Sequence, residues 1–320
     1  MKSKSIIVLF TAAIVFAIGF VSIYFFGDYG WTVFVFLPFL IGFLPSFFAS
    51  RRLELSKRDC YSLSFRTLLA SVIGLLIFAV EGAICIVMAL PLLMLLVWFG
   101  AYIGFIINNR KSKLSSAHAT IILAFYSLSF LSFDYINEPE ALIPVRTYIV
   151  VKAPIEKVWK NVVTFDTIPE PKEFIFKTGI AYPQNATIKG TGVGAIRYCN
   201  FTTGSFVEPI TTWNEPNLLQ FSVQSQPIPM NEWNPFWNIH PPHLDSYFKS
   251  YKGQFKLKRI QNNVTLLEGT TWYKVDIYPE FYWKIWSDLI IHKIHNRVLN
   301  HIKIESEKEN AQSRNTPKVS

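Results

Sequence analysis

The chain changes character near residue 140. Before it, long apolar runs are broken only by short polar pieces; after it, apolar and polar residues alternate at short range. About 20 mostly apolar residues suffice to cross a bilayer as a helix. Ile6–Phe26 and Trp31–Ser50 meet that length, and the first run is too long for a signal-peptide core. Arg51–Arg66 reads as a basic loop. Thr67–Ile107 has 41 residues and one acid, Glu81, which fits two helices joined by a tight turn between Glu81 and Pro91. Ser115–Phe133 is the last apolar run. The pattern predicts an all-α transmembrane region over 1–135, with spans at 6–26, 31–50, 67–86, 89–107 and 115–133.

A linker at 136–144 leads into a stretch with the spacing of a soluble domain, 145–305. Val145–Lys152 is β-branched and reads as a strand. Ile155–Val163 has helical spacing, with Ile155, Val158, Trp159 and Val162 on one face. Thr167–Glu173 is a Pro-interrupted connection or short helix. Gly192–Phe201 and Phe206–Trp213 read as a hairpin, Leu218–Gln224 as the next strand, and Gln226–Asp245 as a Pro-rich loop. Two long strands, Tyr247–Ile260 and Val264–Ile277, precede a long helix over Pro279–Ile304. The polar residues 306–320 read as a disordered tail.

Three stretches of this second half resemble one family. IVVKAPIEKVWKNVVTFDTIPE (Ile149–Glu170) looks like the opening strand, Ala-Pro and helix of the START-like superfamily, also called SRPBCC or polyketide cyclase/dehydrase-like. GTGVGAIRYC (Gly190–Cys199) is similar to its second strand, and EGTTWYKVDIYPEFYWKIWSDLIIHKIHNRVLNHI (Glu268–Ile302) to its last strand and helix. The resemblance covers about Val145 to Glu305 and implies an α+β helix-grip fold, a curved antiparallel sheet around the long C-terminal helix. It also implies a cavity under that helix that takes an apolar ligand. It fixes no activity, since the family spans lipid carriers, hormone receptors and aromatase/cyclases.

Composition agrees with the membrane reading: 51% of residues are hydrophobic, 17% are charged, and mean hydropathy is +0.27. Lys and Arg before residue 144 sit at the edges of the apolar runs. With the N-terminus in the cytoplasm and five spans, all of them fall inside, while Asp28, Glu81, Asp134, Glu138 and Glu140 fall outside. That places the C-terminal domain outside the cytoplasm, on a bacterial inner (plasma) membrane. The net charge of +9 does not point to nucleic acid, because basic residues of the second half are mixed with acids except at Lys256, Lys258 and Arg259. Three cysteines, Cys60, Cys85 and Cys199, permit no disulfide framework within the soluble domain.

Candidate chemistry is sparse. His240/His243 and His292/His295 share one spacing, and Asp288 lies on the helical face of the second pair. Asp288, His292 and His295 are candidates for acid–base work. Arg197 and Glu208 lie on adjacent predicted strands, where they form a surface pair or anchor a ligand. With Tyr198, His240, His243 and the aromatic or apolar residues Trp159, Trp272, Trp283, Trp286 and Ile290, they make up the expected ligand-binding set. No Walker loop, dinucleotide fingerprint, nucleophile elbow, HExxH or CxxC is present, so no cofactor and no metal is expected. The reading is a membrane-anchored START-like domain that binds a hydrophobic or amphipathic small molecule such as a lipid, with membrane lipids as partners. The alternatives are a cyclase/dehydrase-type enzyme and a structural, partner-binding module of the cell envelope.

Overall fold

The computed structural model describes residues 2–26, 30–50, 55–109 and 141–315. The chain forms two compact units. One comprises Met1–Pro139, Glu232–Pro241 and Ile277–Trp283; the other comprises Glu140–Asn231, Pro242–Asp276 and Lys284–Ser320.

The first unit holds helices α1 (Lys2–Phe26), α2 (Leu37–Ser50, entered through a π-helical turn at Thr32–Phe36), α3 (Lys57–Ile77) and α4 (Ala83–Asn109). Four stretches, Lys4–Tyr24, Thr32–Ala49, Lys57–Ile77 and Ala83–Ile107, are long and apolar enough to cross a membrane. The third differs from the expected 67–86, and residues 57–66 are helix rather than basic loop. The reason is local. Ser56 caps α3 by accepting from the Asp59 amide, Asp59 returns to the Ser56 amide, and Lys4 pairs with Asp59 at 2.7 Å. Polar residues thereby start a helix that the apolar pattern begins a few turns later. The turn to α4 falls at 78–82, and Pro91 lies inside α4. The span expected at 115–133 and most of the linker lie outside the described residues.

Helices α2 and α4 meet backbone to backbone. A Cβ on Gly42 would stand 2.2 Å from the Val97 carbonyl oxygen, and one on Gly100 2.3 Å from that of Phe39. Small residues permit such approach, and dispersion between the helices then replaces the missing hydrophobic drive. On α3, Phe65, Leu69, Ile73 and Ile77 recur every fourth residue and remain exposed, forming one apolar stripe.

Residues 232–237 close the end of the α3–α4 hairpin within this unit. Asn234 Nδ2 donates to the Leu76 carbonyl at 2.9 Å and the Glu81 carbonyl at 3.4 Å, and Trp237 Nε1 donates to the Ile77 carbonyl at 2.7 Å. On the α4 side the Ala83 amide donates to the Trp233 carbonyl at 2.8 Å. The Ile84 and Cys85 amides donate to the two Glu232 carboxylate oxygens at 3.2 and 3.0 Å. A helix leaves its first amides and last carbonyls without internal partners. Here one distant segment satisfies both ends, and a carboxylate sits where the helix dipole favours it.

The second unit is a seven-stranded antiparallel sheet in the order β1-β7-β6-β5-β4-β3-β2. The strands are β1 (Ile143–Val151), β2 (Pro183–Lys189), β3 (Ile196–Phe201), β4 (Gly204–Asn214), β5 (Leu218–Ser222), β6 (Phe248–Gln261) and β7 (Val264–Val275). Helices α5 (Ile155–Val163) and α6 (Phe174–Lys177) follow β1, a one-turn α7 (His243–Ser246) precedes β6, and α8 (Glu280–Asn315) ends the fold. Helix α5 buries Ile155, Val158, Trp159 and Val162, the face its spacing predicts. Val298, Leu299 and Ile302 of α8 join Leu219, Leu257 and Leu267 of the sheet in one core. A curled antiparallel sheet gripping a long C-terminal helix is the helix-grip fold.

Several boundaries depart from the expectation. Strand β2 was not foreseen, because Pro-Gln-Asn-Ala-Thr-Ile-Lys shows little apolar alternation. Residues 167–173 are a loop with the short helix after them. Arg297 of α8 holds that loop, donating to the carbonyls of Ile168 (3.4 Å), Pro169 (2.7 Å) and Pro183 (3.0 Å). The polar stretch after Ile304 is helix through Asn315 rather than a tail from 306. Lys303–Glu307 and Glu305–Lys308 pairs along its surface support that extra length.

Candidate functional site

Between the concave face of the sheet and α8, wholly within the second unit, lies a cavity of about 140 Å³. Its wall is mainly apolar: Phe201, Phe206, Phe221 and Phe255 from the sheet, Ile290, Ile291, Ile294 and Val298 from α8, and residues 227–229 from the Pro-rich loop. Alternation along β3 points Arg197, Cys199 and Phe201 inward together.

Arg197 is the polar centre of this wall. Only 1% of it is exposed. It is the register partner of Glu208 on β4, and its Nη1 donates to Glu208 Oε2. The predicted pair therefore forms, but on the buried concave face. Nε donates to the Val163 carbonyl at 3.3 Å. Nη2 is buried with no hydrogen-bond partner to nitrogen or oxygen among the described residues, and the Cys199 thiol lies against the guanidinium. The rings of Phe165, Phe221 and Phe255 stand 5.5–5.7 Å from the guanidinium carbon, close enough for cation–π attraction, which strengthens without water. Burial pushes the Glu208 carboxyl upward, and Arg197 opposes that shift. Burial and the nearby Glu208 charge push the Cys199 thiol up to about 12, partly offset by Arg197. A thiol so held is no nucleophile near neutral pH.

A second polar group ties α8 to the sheet edge. Thr147 Oγ1 lies 2.8 Å from His292 Nδ1 and 3.0 Å from His295 Nδ1, and Thr271 Oγ1 lies 2.8 Å from His295 Nε2. A hydroxyl has one proton, so Thr147 donates to one ring and accepts from the other. Burial, with His292 beside it, holds His295 down at about 3, so this imidazole is neutral. His295 and Thr271 line the cavity. Asp288 does not join them. Its oxygens are taken by the Tyr273 hydroxyl at 2.8 Å and by Lys284. Burial, then the Asp288 carboxylate, drives the Tyr273 phenol far upward, so it stays a donor.

The remaining expected residues are spread out. Of the ligand-binding set, Arg197, Glu208 and Ile290 line the cavity. Tyr198 and Trp272 alternate with Arg197 and Thr271 and so point to the other face, where the Lys189 and Lys252 ammonium groups lie 5.2 and 4.6 Å from their ring centroids. Trp159 is core, set edge-on to Trp213 at 5.5 Å. Trp286 is half-buried on α8 outside the lining. Trp283 belongs to the first unit, edge-on to Phe34 at 4.8 Å. His240 is exposed in the first unit, whereas His243 is buried at the start of α7 in the second. The sheet phenylalanines were missed, although Phe201 and Phe206 follow from Arg197 and Glu208 at even spacing along their strands.

No protein-family model matches the chain, and no curated protein matches it. Solved structures align with about half of the chain. One is a structural-genomics protein from Nitrosospira multiformis, 18% identical, covering 53% of this chain and 99% of that one at a TM-score of 0.33. A point mutant of norcoclaurine synthase from Thalictrum flavum, in complex with a transition-state analogue, is 15% identical and covers 54% and 99% at 0.36. The Aha1 dimer from Colwellia psychrerythraea is 14% identical and covers 52% and 96% at 0.31. The fold assignment rests on the strand order and the gripped helix.

Proposed function

We propose that this is a membrane-anchored binding protein whose helix-grip domain takes a small, neutral, mainly apolar molecule with one acceptor oxygen. The observation that carries the reading is a mainly apolar cavity with Arg197 in its wall, whose Nη2 is sealed from that space and makes no hydrogen bond to nitrogen or oxygen among the described residues. Leaving a buried donor unsatisfied costs about 1–3 kcal/mol, which a ligand oxygen would recover once the Phe221 and Phe255 rings that flank the guanidinium shift to admit it. Charge argues against a carboxylate. Glu208 already neutralises Arg197, so a bound anion would carry an unpaired charge into an apolar space. Size argues against a whole two-chain lipid. A cavity of about 140 Å³ compares with the roughly 150 Å³ that accommodates benzene, so the space suits one ring or the end of one chain.

The four apolar helices support anchoring in a membrane, and a bilayer is a natural reservoir for such a ligand. The orientation proposed is N-terminus in the cytoplasm. With 115–133 as a fifth span, the binding domain lies outside the cytoplasm of a bacterial inner membrane. Acid–base catalysis by Asp288, His292 and His295 is not favoured, because Asp288 is engaged elsewhere and His295 is fixed between two threonines.

The test is saturation-transfer NMR on the full chain in nanodiscs, with a matched aryl ketone, hydrocarbon and carboxylate. Expected is binding in the order ketone, hydrocarbon, carboxylate, lost in Ile294→Trp, which fills the cavity. Signals unchanged by that substitution would mean partitioning into lipid and would end the proposal.

A further inference from the structure

Residues 233–237 carry three large apolar side chains in the open. Trp233, Phe236 and Trp237 are 60%, 59% and 56% exposed, on a segment pinned by backbone and side-chain hydrogen bonds to the end of the α3–α4 hairpin. The segment is not loose: Asn234 Oδ1 accepts from the Phe236 and Trp237 amides at 2.9 and 3.3 Å, fixing the turn that displays the rings. Clustered exposed aromatics on a fixed turn need a covering surface.

What covers them follows from what they continue. The exposed α3 stripe Phe65, Leu69, Ile73 and Ile77 ends at Phe78, itself 68% exposed. Trp237 bonds to the carbonyl of Ile77, the last residue of that candidate span. The patch thus begins where the apolar face of a span stops, the depth at which hydrocarbon gives way to headgroups. Indole rings favour that layer, with an apolar body and one polar N–H.

We propose that Trp233, Phe236 and Trp237 insert into the headgroup boundary of the bilayer, so that a segment lying between two strands of the sheet in sequence acts as an interfacial anchor. The partner is a lipid surface, recognised through apolar contact rather than charge. The inference rests on α1–α4 crossing a bilayer, and the experiment separates the two claims.

Full-length protein is reconstituted with phosphatidylcholine brominated either near the carbonyl end or near the terminus of its acyl chains. Tryptophan quenching is compared for wild type, Trp233→Phe/Trp237→Phe and Leu69→Trp. Leu69 sits exposed near the middle of α3, so a tryptophan there reports on the span. The expected result is that the double variant loses shallow-bromine quenching while Leu69→Trp gains deep-bromine quenching. If the shallow component is unchanged in the double variant while aqueous acrylamide quenches those two tryptophans, the anchor is overturned and the spans stand. If Leu69→Trp adds no deep component, the membrane reading fails and the anchor with it. Should the double variant not fold, Trp233→Phe alone decides, because residue 233 holds the hairpin through its carbonyl, which the change keeps.

Discussion

Arg197 and Glu208 show how one pair of charges can be costly and specific together. Two ions removed from water lose several kcal/mol each, and their attraction returns that only with good geometry. Removing one partner leaves the other charge buried, so Arg197→Met and Glu208→Leu should each destabilise the protein by about 3–5 kcal/mol. The double variant Arg197→Met/Glu208→Leu should melt much closer to wild type, and it should lose the preference for ketone over hydrocarbon. Thermal melts of the four proteins check the cycle. A double variant as unstable as the sum of the singles would show that the pair holds the core rather than a ligand. The sequence reading reached these two residues because strand alternation puts them on one face. It left the choice of face open, since alternation on two adjacent strands fixes the pairing but not which side α8 covers.

Among elements, the α3–α4 hairpin depends on a segment far away in sequence. A Cβ on Gly82 would lie 1.9 Å from a Glu232 carboxylate oxygen and 2.7 Å from the Glu232 Cβ, so Gly82→Ala should displace the Glu232 carboxylate. Glu232→Ala removes the same two bonds to Ile84 and Cys85. Each change should cost about 1–3 kcal/mol. The pair should be non-additive, because both delete one interaction. Heat-induced unfolding in detergent measures the stability, and protease cleavage near residues 232–241 reports release of the segment. Additive effects would mean that Glu232 does not cap α4. Hydropathy picked out four long apolar helices, but it misplaced the start of α3, because a capping box and an ion pair extend a helix through polar residues. It could not reveal the cap either. A Glu in a Pro-rich loop carries no periodic signal, and its partners are backbone amides, which every sequence has.

At the scale of the whole molecule, the Thr147–His292–His295–Thr271 group ties the first strand, the last strand and the last helix of the helix-grip domain. His295 is neutral when folded, with its pKa at about 3, against 6.5 for an unperturbed ring. The unfolded chain therefore takes up a proton that the native state refuses. Stability from this group is fully present above about pH 6.5 and is lost as pH falls toward 3, at up to about 1.4 kcal/mol per pH unit. The thermal midpoint of wild type should fall on acidification across that window, with a weaker slope in His295→Asn. Equal slopes would place the acid sensitivity elsewhere. The order of most elements was legible in the apolar periodicities, and the resemblance to the START-like superfamily supplied the helix-grip form, whereas polar β2 and the ionic end of α8 were not legible, because neither has an apolar rhythm.

The hairpin cap also sets an order of events during synthesis. Helices α3 and α4 leave the ribosome first, while their partners Glu232, Asn234 and Trp237 follow 147 to 160 residues later. At roughly 5–20 residues per second, the hairpin waits about 7–32 s with the backbone groups at its turn answered only by water or lipid headgroups. The membrane unit is thus completed by a segment made after five strands of the helix-grip domain, and neither part finishes folding before the other is largely translated.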